Sequence, residues 1–404
     1  MLSVEQAREH ILDAIRPLPA EQVNIAQSLG RVLAADVVSR RTQPPTAVSA
    51  MDGYAVRAAD VASTPATLKV IGQAPAGDAY QGTVGAGQAV RIFTGGPVPD
   101  GADAIVIQEN TEAGDGEVIV GEPAPPGHYI RPAGLDFSEG DVGLVAGRVM
   151  TARDVGLAAA MNVPWLSVHR RPRVAILVTG DEIAMPGDPL GPNQIVSSNS
   201  LALAASVTVF GGEPYQLGIA PDDREALASM AAGAAGADLL LTSGGASVGD
   251  HDLVRDVLGG IGFELDFWKI AMRPGKPLIF GHIGETPVLG LPGNPVSALV
   301  CAMIYLRPML WRMLGIAEGD EAPATARLAE ALEENDERQD YLRGTLSNDG
   351  NGGLRVTIFS RQDSSMLATL ARADCLIVRP PHAPAAAAGD IVEIMPVPTS
   401  LFSA

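Results

Sequence analysis

The sequence predicts a multidomain protein of α/β plus all-β class: a central α/β domain on a mostly parallel sheet, a β insertion domain, a discontinuous helical N-terminal domain and a C-terminal β-barrel. Three observations carry this expectation. The chain has 404 residues, and a typical domain of roughly 150 residues would be used up two or three times over. Between Pro172 and Leu314, apolar strand-like runs alternate with helix-compatible segments. On both sides of that region the texture changes to short β-prone runs separated by Gly, Pro, Asp and Asn.

Taken in chain order, Ser3 with Gln6 forms a capping box, and Val4, Ala7, Ile11, Leu12 and Ile15 recur at helical spacing until Pro17 and Pro19. An amphipathic helix therefore opens the chain. From Thr42 to Gly147 the runs AVRIF, DAIVIQE and EVIVGE read as strands of a β insertion, and Thr151 to Asn162 is helix-compatible again. This pattern assigns 1–41 and 142–170 to one discontinuous N-terminal domain, 42–141 to the insertion, 171–318 to the α/β domain and 319–404 to the barrel. Within the α/β domain RVAILV (from Arg173), ADLLLT (from Ala237) and PVLGL (from Pro287) alternate with helices over Ser200 to Val209 and Arg224 to Ala235. At the C-terminal end, RGTLSNDGNGGLRVTIFS is a hairpin with a Gly/Asn/Asp turn, and DCLIVRPP and DIVEIMPV are further strands.

Composition narrows the function. With 28 Lys+Arg against 47 Asp+Glu the net charge is −19, which argues against a protein that coats nucleic acid or anionic membrane. An anionic ligand must then meet a local basic cluster. The two cysteines, Cys301 and Cys375, lie far apart in apolar runs, as buried thiols in a reducing compartment would. The N-terminus has no apolar signal core, and no apolar run approaches the roughly 18 residues that span a bilayer. A cytoplasmic protein is expected.

Three strands of the α/β region end in unusual loops: Thr179-Gly-Asp-Glu182, Ser243-Gly-Gly-Ala-Ser-Val-Gly-Asp-His-Asp252 and Leu291-Pro-Gly-Asn-Pro295. In a parallel sheet these ends share one edge, so the loops should converge on one crevice. Glycines such as Gly244, Gly245, Gly249 and Gly293 let backbone N–H groups approach a ligand, and Asn294 before Pro295 is an N-cap followed by a first helical residue. The helix N-terminus it opens favours an anion. Only three lysines occur in the chain, and Lys269 and Lys276 flank Arg273. Lys269 and Arg273, four apart in an extended run, would project from one face and form a phosphate or oxyanion seat; a solvated hairpin tip is the plainer alternative. Glu182, Asp222, Asp223, Asp250 and Asp252 supply carboxylates, and magnesium takes one or two of these together with ligand phosphates; Asp252, ending the longest glycine loop, is the best candidate. Gly245-Ala-Ser247-Val-Gly249 also matches a hydrolase nucleophile elbow, with His282 or His382 as base, but that reading leaves the Pro-Gly-Asn-Pro loop and the lysines unexplained.

Six stretches in order, SAMDGYAV (from Ser49), FTGGPVPDGADAIVIQE (from Phe93), TGDEI (from Thr179), TSGGASVGDHD (from Thr242), RPGKP (from Arg273) and GLPGNPVSA (from Gly290), resemble the molybdopterin molybdenumtransferases, a family that includes the C-terminal domain of gephyrin. The resemblance covers nearly the whole chain and implies four domains in an elongated homodimer. It implies an enzyme that takes adenylylated molybdopterin and molybdate, inserts the metal at the dithiolene sulfurs and releases AMP in a Mg2+-dependent step. Carried over by position, the Ser243 to Asp252 loop (Ser243, Gly244, Gly245, Ser247, Gly249), Lys276 and the Pro292-Gly293-Asn294-Pro295 turn would hold the pterin phosphate and nucleotide. Glu182 and Asp252 would lie near magnesium, with Asp222 a further pocket acid. Asp52, Thr94 and Asp136 would reach the same cleft from the partner subunit.

Arg273 stands where many members have lysine, and its planar fork would alter molybdate selectivity. Lys269 and Arg273 are expected to form one wall of a molybdate site. Arg343 and Ser364, read as lying at strand ends of the barrel, would form the other. The nearest rival is a molybdopterin adenylyltransferase, whose glycine loop usually continues differently from Val248-Gly-Asp-His-Asp252; a non-catalytic scaffold of the same fold is the rival from another class. The preceding adenylyltransferase and acceptor molybdoenzymes are the protein contacts this activity implies.

Overall fold

The structure, a computed structural model, describes residues 1–244, 253–316, 323–350 and 352–397. The chain forms two compact units, Gln22–Ser167, and Met1–Glu21 together with Val168–Ala404.

The larger unit is built on a six-stranded sheet in the order Glu213–Ala220, Arg173–Thr179, Leu239–Ser243, Thr286–Leu291, Ile279–Ile283, Phe263–Trp268. The first four strands are parallel, and Ile279–Ile283 runs antiparallel to both of its neighbours, so that Phe263–Trp268 again has the direction of the first four. Parallel strands are covered on both faces, so their sequences read as unbroken apolar runs; Val174 to Thr179 and Leu239 to Ser243 are buried throughout. Alternate side chains feed opposite cores. Val174, Ile176, Leu239, Leu241, Leu289 and Leu291 enter one, while Ala175, Leu177, Leu240 and Val288 enter the other. The second core is closed by Leu227 and Ala231 of helix Arg224–Ala232 and by Val257 and Leu258 of helix Leu253–Gly260.

The opening helix, Val4–Ala14, starts with the expected Ser3/Gln6 capping box and buries Val4, Ala7 and Ile11 in the first core. That core is centred on a continuous 19-residue helix, Pro295–Met313. By length and mean apolarity alone this helix could cross a bilayer, although Arg307 and Arg312 interrupt its apolar run as expected from the sequence; 78% of its most apolar 18-residue stretch is buried inside the protein, so that surface is already used in packing. The barrel closes through Gln339–Asn348, Leu354–Ile358, Ala324–Leu328, Ile391–Pro396 and Cys375–Arg379, which pairs back to the first strand. Both cysteines are free and buried, and burial pushes the Cys375 thiol up to about 11.

The smaller unit carries a mixed six-stranded sheet, ordered Ala104–Ile107, Gly53–Val56, Gln88–Ile92, Ala66–Ala74, Glu117–Val120, Thr111–Ala113. Its helix Ala152–Ala160 begins with a capping box of Thr151 and Asp154. Burial alone would raise the Asp154 pKa, but bonds from Arg148 and Thr151 outweigh it and hold the carboxyl at about 2.

Candidate active-site cleft

The register aligns Val178 with Ser243 and Ser243 with Leu291, so the three strands end level on one edge and their loops open together. Gly244 turns the chain at φ +97°, and a Cβ there would lie 2.4 Å from the Thr179 carbonyl oxygen, which is why glycine is required. Ser243 is fully buried; its hydroxyl donates to the Pro292 carbonyl at 3.2 Å and accepts from Asn199 Nδ2 at 2.9 Å. Asn199 Nδ2 also donates to the Gly293 carbonyl at 2.8 Å. These loops, with Glu182, Pro277 and Ser365, line a cleft of about 580 Å³. Thr179 Oγ1 is buried in its wall with no hydrogen-bond partner among the described residues.

Two helices start at the cleft, Asn199–Val209 and Pro295–Met313. Their N-terminal N–H groups and dipoles give it positive polarity without a side-chain charge. Asn294 and Pro295 occupy the expected N-cap and first helical positions. The Asn294 side chain does not cap the helix, however; its Nδ2 donates to Ser364 Oγ at 2.9 Å. The Ser364 carbonyl accepts from Val296 N at 3.1 Å. The barrel loop thus supplies the cap, and Ser365 joins the cleft wall.

Glu182, Ser243, Gly244 and Pro292 to Pro295 therefore come together as predicted, and Ser364 adjoins them. Gly245, Ser247, Gly249, Asp250 and Asp252 lie outside the described residues, and with them the nucleophile-elbow serine. Asp222 is exposed, with its N–H on Asp181 Oδ1. Lys276 is half-buried beside Pro277 of the cleft wall, and its carbonyl accepts from Ile270 N.

Two geometric expectations are corrected. Lys269 adopts φ +73° and breaks the extended run, so its side chain does not share a face with Arg273 by strand alternation; Nζ sits 3.6 Å above the Trp268 ring centroid. Arg273 is ion-paired with Asp336 at 3.2 Å and with Asp340, so its fork is occupied by barrel carboxylates. Arg343 does not sit at a strand end: its strand begins at Gln339, and Arg343 is 1% exposed. Its Nε donates to Gln362 Oε1 and its Nη1 to the Met366 carbonyl, and burial lowers its pKa. The structure makes it a buried strut of the barrel.

On the smaller unit, Asp52 Oδ1 accepts from Thr94 N at 2.7 Å and Thr94 Oγ1 at 2.8 Å, and these bonds hold the carboxyl below the usual range. Asp136 is exposed, its N–H on the Gln43 carbonyl. Asn199 and Ser365 escaped the sequence reading. The only available signal for Asn199 was the polar run Ser197-Ser198-Asn199 just before an apolar helix.

A glycine-lined cleft at the carboxyl edge of an α/β sheet, with two helix N-termini facing it, is the class of site in which α/β proteins hold small anionic ligands. Comparison with known proteins narrows this class. Residues 2–162 match the family model of the MoeA N-terminal region (domain I and II), 175–312 a probable molybdopterin binding domain and 325–397 the MoeA C-terminal region (domain IV). The chain is 38% identical to a molybdopterin molybdenumtransferase of Nostoc sp., covering 86% of this chain and 82% of that one. It is 34% identical to one of Haemophilus influenzae over 98% of each. A solved molybdopterin biosynthesis MoeA protein from Pyrococcus horikosii superposes with a TM-score of 0.85 at 33% identity, covering 98% of this chain and 99% of that one. The chain belongs to the molybdopterin molybdenumtransferase family.

Proposed function

We propose that this enzyme of molybdenum cofactor biosynthesis inserts molybdate into adenylylated molybdopterin and releases AMP. The observation that carries the reading is the convergence of Thr179, Ser243–Gly244 and Pro292–Pro295 on one cleft with two helix N-termini. Backbone N–H groups at the start of the Asn199–Val209 helix would hold phosphate oxygens, the dipole of Pro295–Met313 would add positive polarity, and Lys276 would add a cation. Fixed donors of this kind need no reorganisation as negative charge moves to the departing AMP phosphate.

A magnesium ion would be held by Glu182 and Asp252, with the remaining ligands drawn from substrate phosphate and water; among the described residues no group of three or more His, Cys, Asp or Glu is arranged to hold a metal. The ion would neutralise phosphate charge.

The reading includes a homodimer in which Asp52, Thr94 and Asp136 serve the cleft of the partner subunit. Val38 and Val142, paired across two strands of the smaller unit, are 44% and 52% exposed, which supports a subunit contact there. It also includes a cytoplasmic location and passage of substrate from an adenylyltransferase and of product to acceptor molybdoenzymes.

The test is to supply purified protein with adenylylated molybdopterin, molybdate and magnesium, without ATP, and measure reconstitution of an apo-molybdoenzyme. Reconstitution is expected. A requirement for ATP would favour adenylyl transfer, and binding without turnover would favour a scaffold.

A further inference from the structure

The two glycine turns that bound the cleft belong to chain segments about fifty residues apart, and one side chain joins them. Asn199 is 8% exposed, and its Nδ2 reaches both Ser243 Oγ at 2.9 Å and the Gly293 carbonyl at 2.8 Å. A carbonyl can only accept, so the Gly293 contact fixes which end of the amide faces the turns. Ser243 then passes the constraint on, because its hydroxyl donates to Pro292. A Cβ added to Gly293 would meet Gly244 Cα at 3.6 Å, so the two turns face each other across a gap of about one methyl group, and a small change in their spacing alters the cradle between them. Removing the amide would leave two buried acceptors, on Ser243 and Gly293, without that donor.

We infer that Asn199 is a positioning residue that sets the separation of the Ser243–Gly244 and Pro292–Gly293 turns, and through it the fit of the phosphate-bearing substrate. Its side-chain amide acts through Ser243 and Gly293 and takes no proton in the reaction. The inference rests on the assignment of this cleft to adenylylated molybdopterin.

The experiment compares wild type, Asn199→Ala, Asn199→Asp, Ser243→Ala and the Asn199→Ala/Ser243→Ala double variant, measuring AMP binding by calorimetry, the KM for adenylylated molybdopterin, kcat and thermal unfolding. Asn199→Asp keeps the volume but puts an oxygen against the Gly293 carbonyl. Both Asn199 variants are expected to weaken AMP binding and raise KM by about tenfold or more, since two hydrogen bonds are lost, with kcat lowered much less. The double variant is expected to be less impaired than the product of the two single effects, because the residues act as one unit. Unchanged KM in folded Asn199→Asp and Asn199→Ala, or strictly multiplicative effects in the double variant, overturns the inference. Failure of both Asn199 variants to fold overturns it too, in favour of a purely structural role. Failure of wild type to bind AMP or the substrate would instead sink the assignment of the cleft.

Discussion

Replacing Gly244 with alanine tests the cleft at its tightest point. An alanine there must take φ +97°, a left-handed conformation costing about 1–2 kcal/mol. Its Cβ would lie 2.4 Å from the Thr179 carbonyl oxygen, which is backbone at the end of a central strand and cannot swing aside. The turn must therefore move, and the movement strains the Ser243 bonds to Asn199 and Pro292, each worth about 1 kcal/mol. The expected loss is about 2–4 kcal/mol, with AMP binding abolished or reduced beyond tenfold. Urea unfolding of the larger unit and calorimetric titration with AMP read both effects. Gly236→Ala is the control: its φ is +80° with nothing within 4 Å of a Cβ, so it should cost about 1 kcal/mol of strain alone and leave binding intact. Wild-type stability and AMP affinity in Gly244→Ala would refute this account of the cleft.

Asp154→Ala should destabilise the smaller unit by about 1–2 kcal/mol at neutral pH through loss of its capping and Arg148 bonds. Because the folded pKa falls from 3.8 to about 2, the wild-type contribution is complete above about pH 4 and lost as pH drops to about 2; the variant should lack that limb in acid-unfolding curves. Arg343→Ala should cost about 2–4 kcal/mol by leaving a cavity and removing the guanidinium bonds to Gln362 Oε1 and the Met366 carbonyl, while folded protein keeps its half-saturating molybdate concentration; a raised molybdate requirement would return Arg343 to the site. Subunits bearing Asp52→Ala mixed with subunits bearing Asp252→Ala should regain activity in heterodimers if the cleft is shared, and no recovery in confirmed heterodimers would contradict sharing.

What was legible in the sequence was local. The Ser3/Gln6 capping box, the apolar runs ending at Val178, Thr242 and Leu291, and the placement of Asn294 and Pro295 at a helix start depend on neighbours a few residues away, and each is found to within a residue. Tertiary partners decided the rest. Asn294 turns from its own helix to Ser364 because the barrel loop brings both a carbonyl for Val296 and a hydroxyl for the amide. Arg273 has the composition of an anion ligand but faces two acids of the barrel, and sequence spacing gave no notice of Asp336 or Asp340. Arg343 was misplaced because Gln339-Asp340-Tyr341 reads as the tail of an acidic loop, whereas pairing with Met272–Arg273 draws it into the strand. Asn199 was invisible for the same reason: its partners, Ser243 and Gly293, are far away along the chain.

The central claim, that metal insertion and AMP release occur together in this cleft, is tested most directly by one measurement. Purified protein loaded with adenylylated molybdopterin is exposed to a molybdate series with magnesium and no ATP, and released AMP is quantified against molybdenum retained with the pterin. The account predicts that AMP release depends on molybdate and that the two products appear one for one. AMP released at the same rate without molybdate, or molybdenum incorporated with no AMP released, would contradict it.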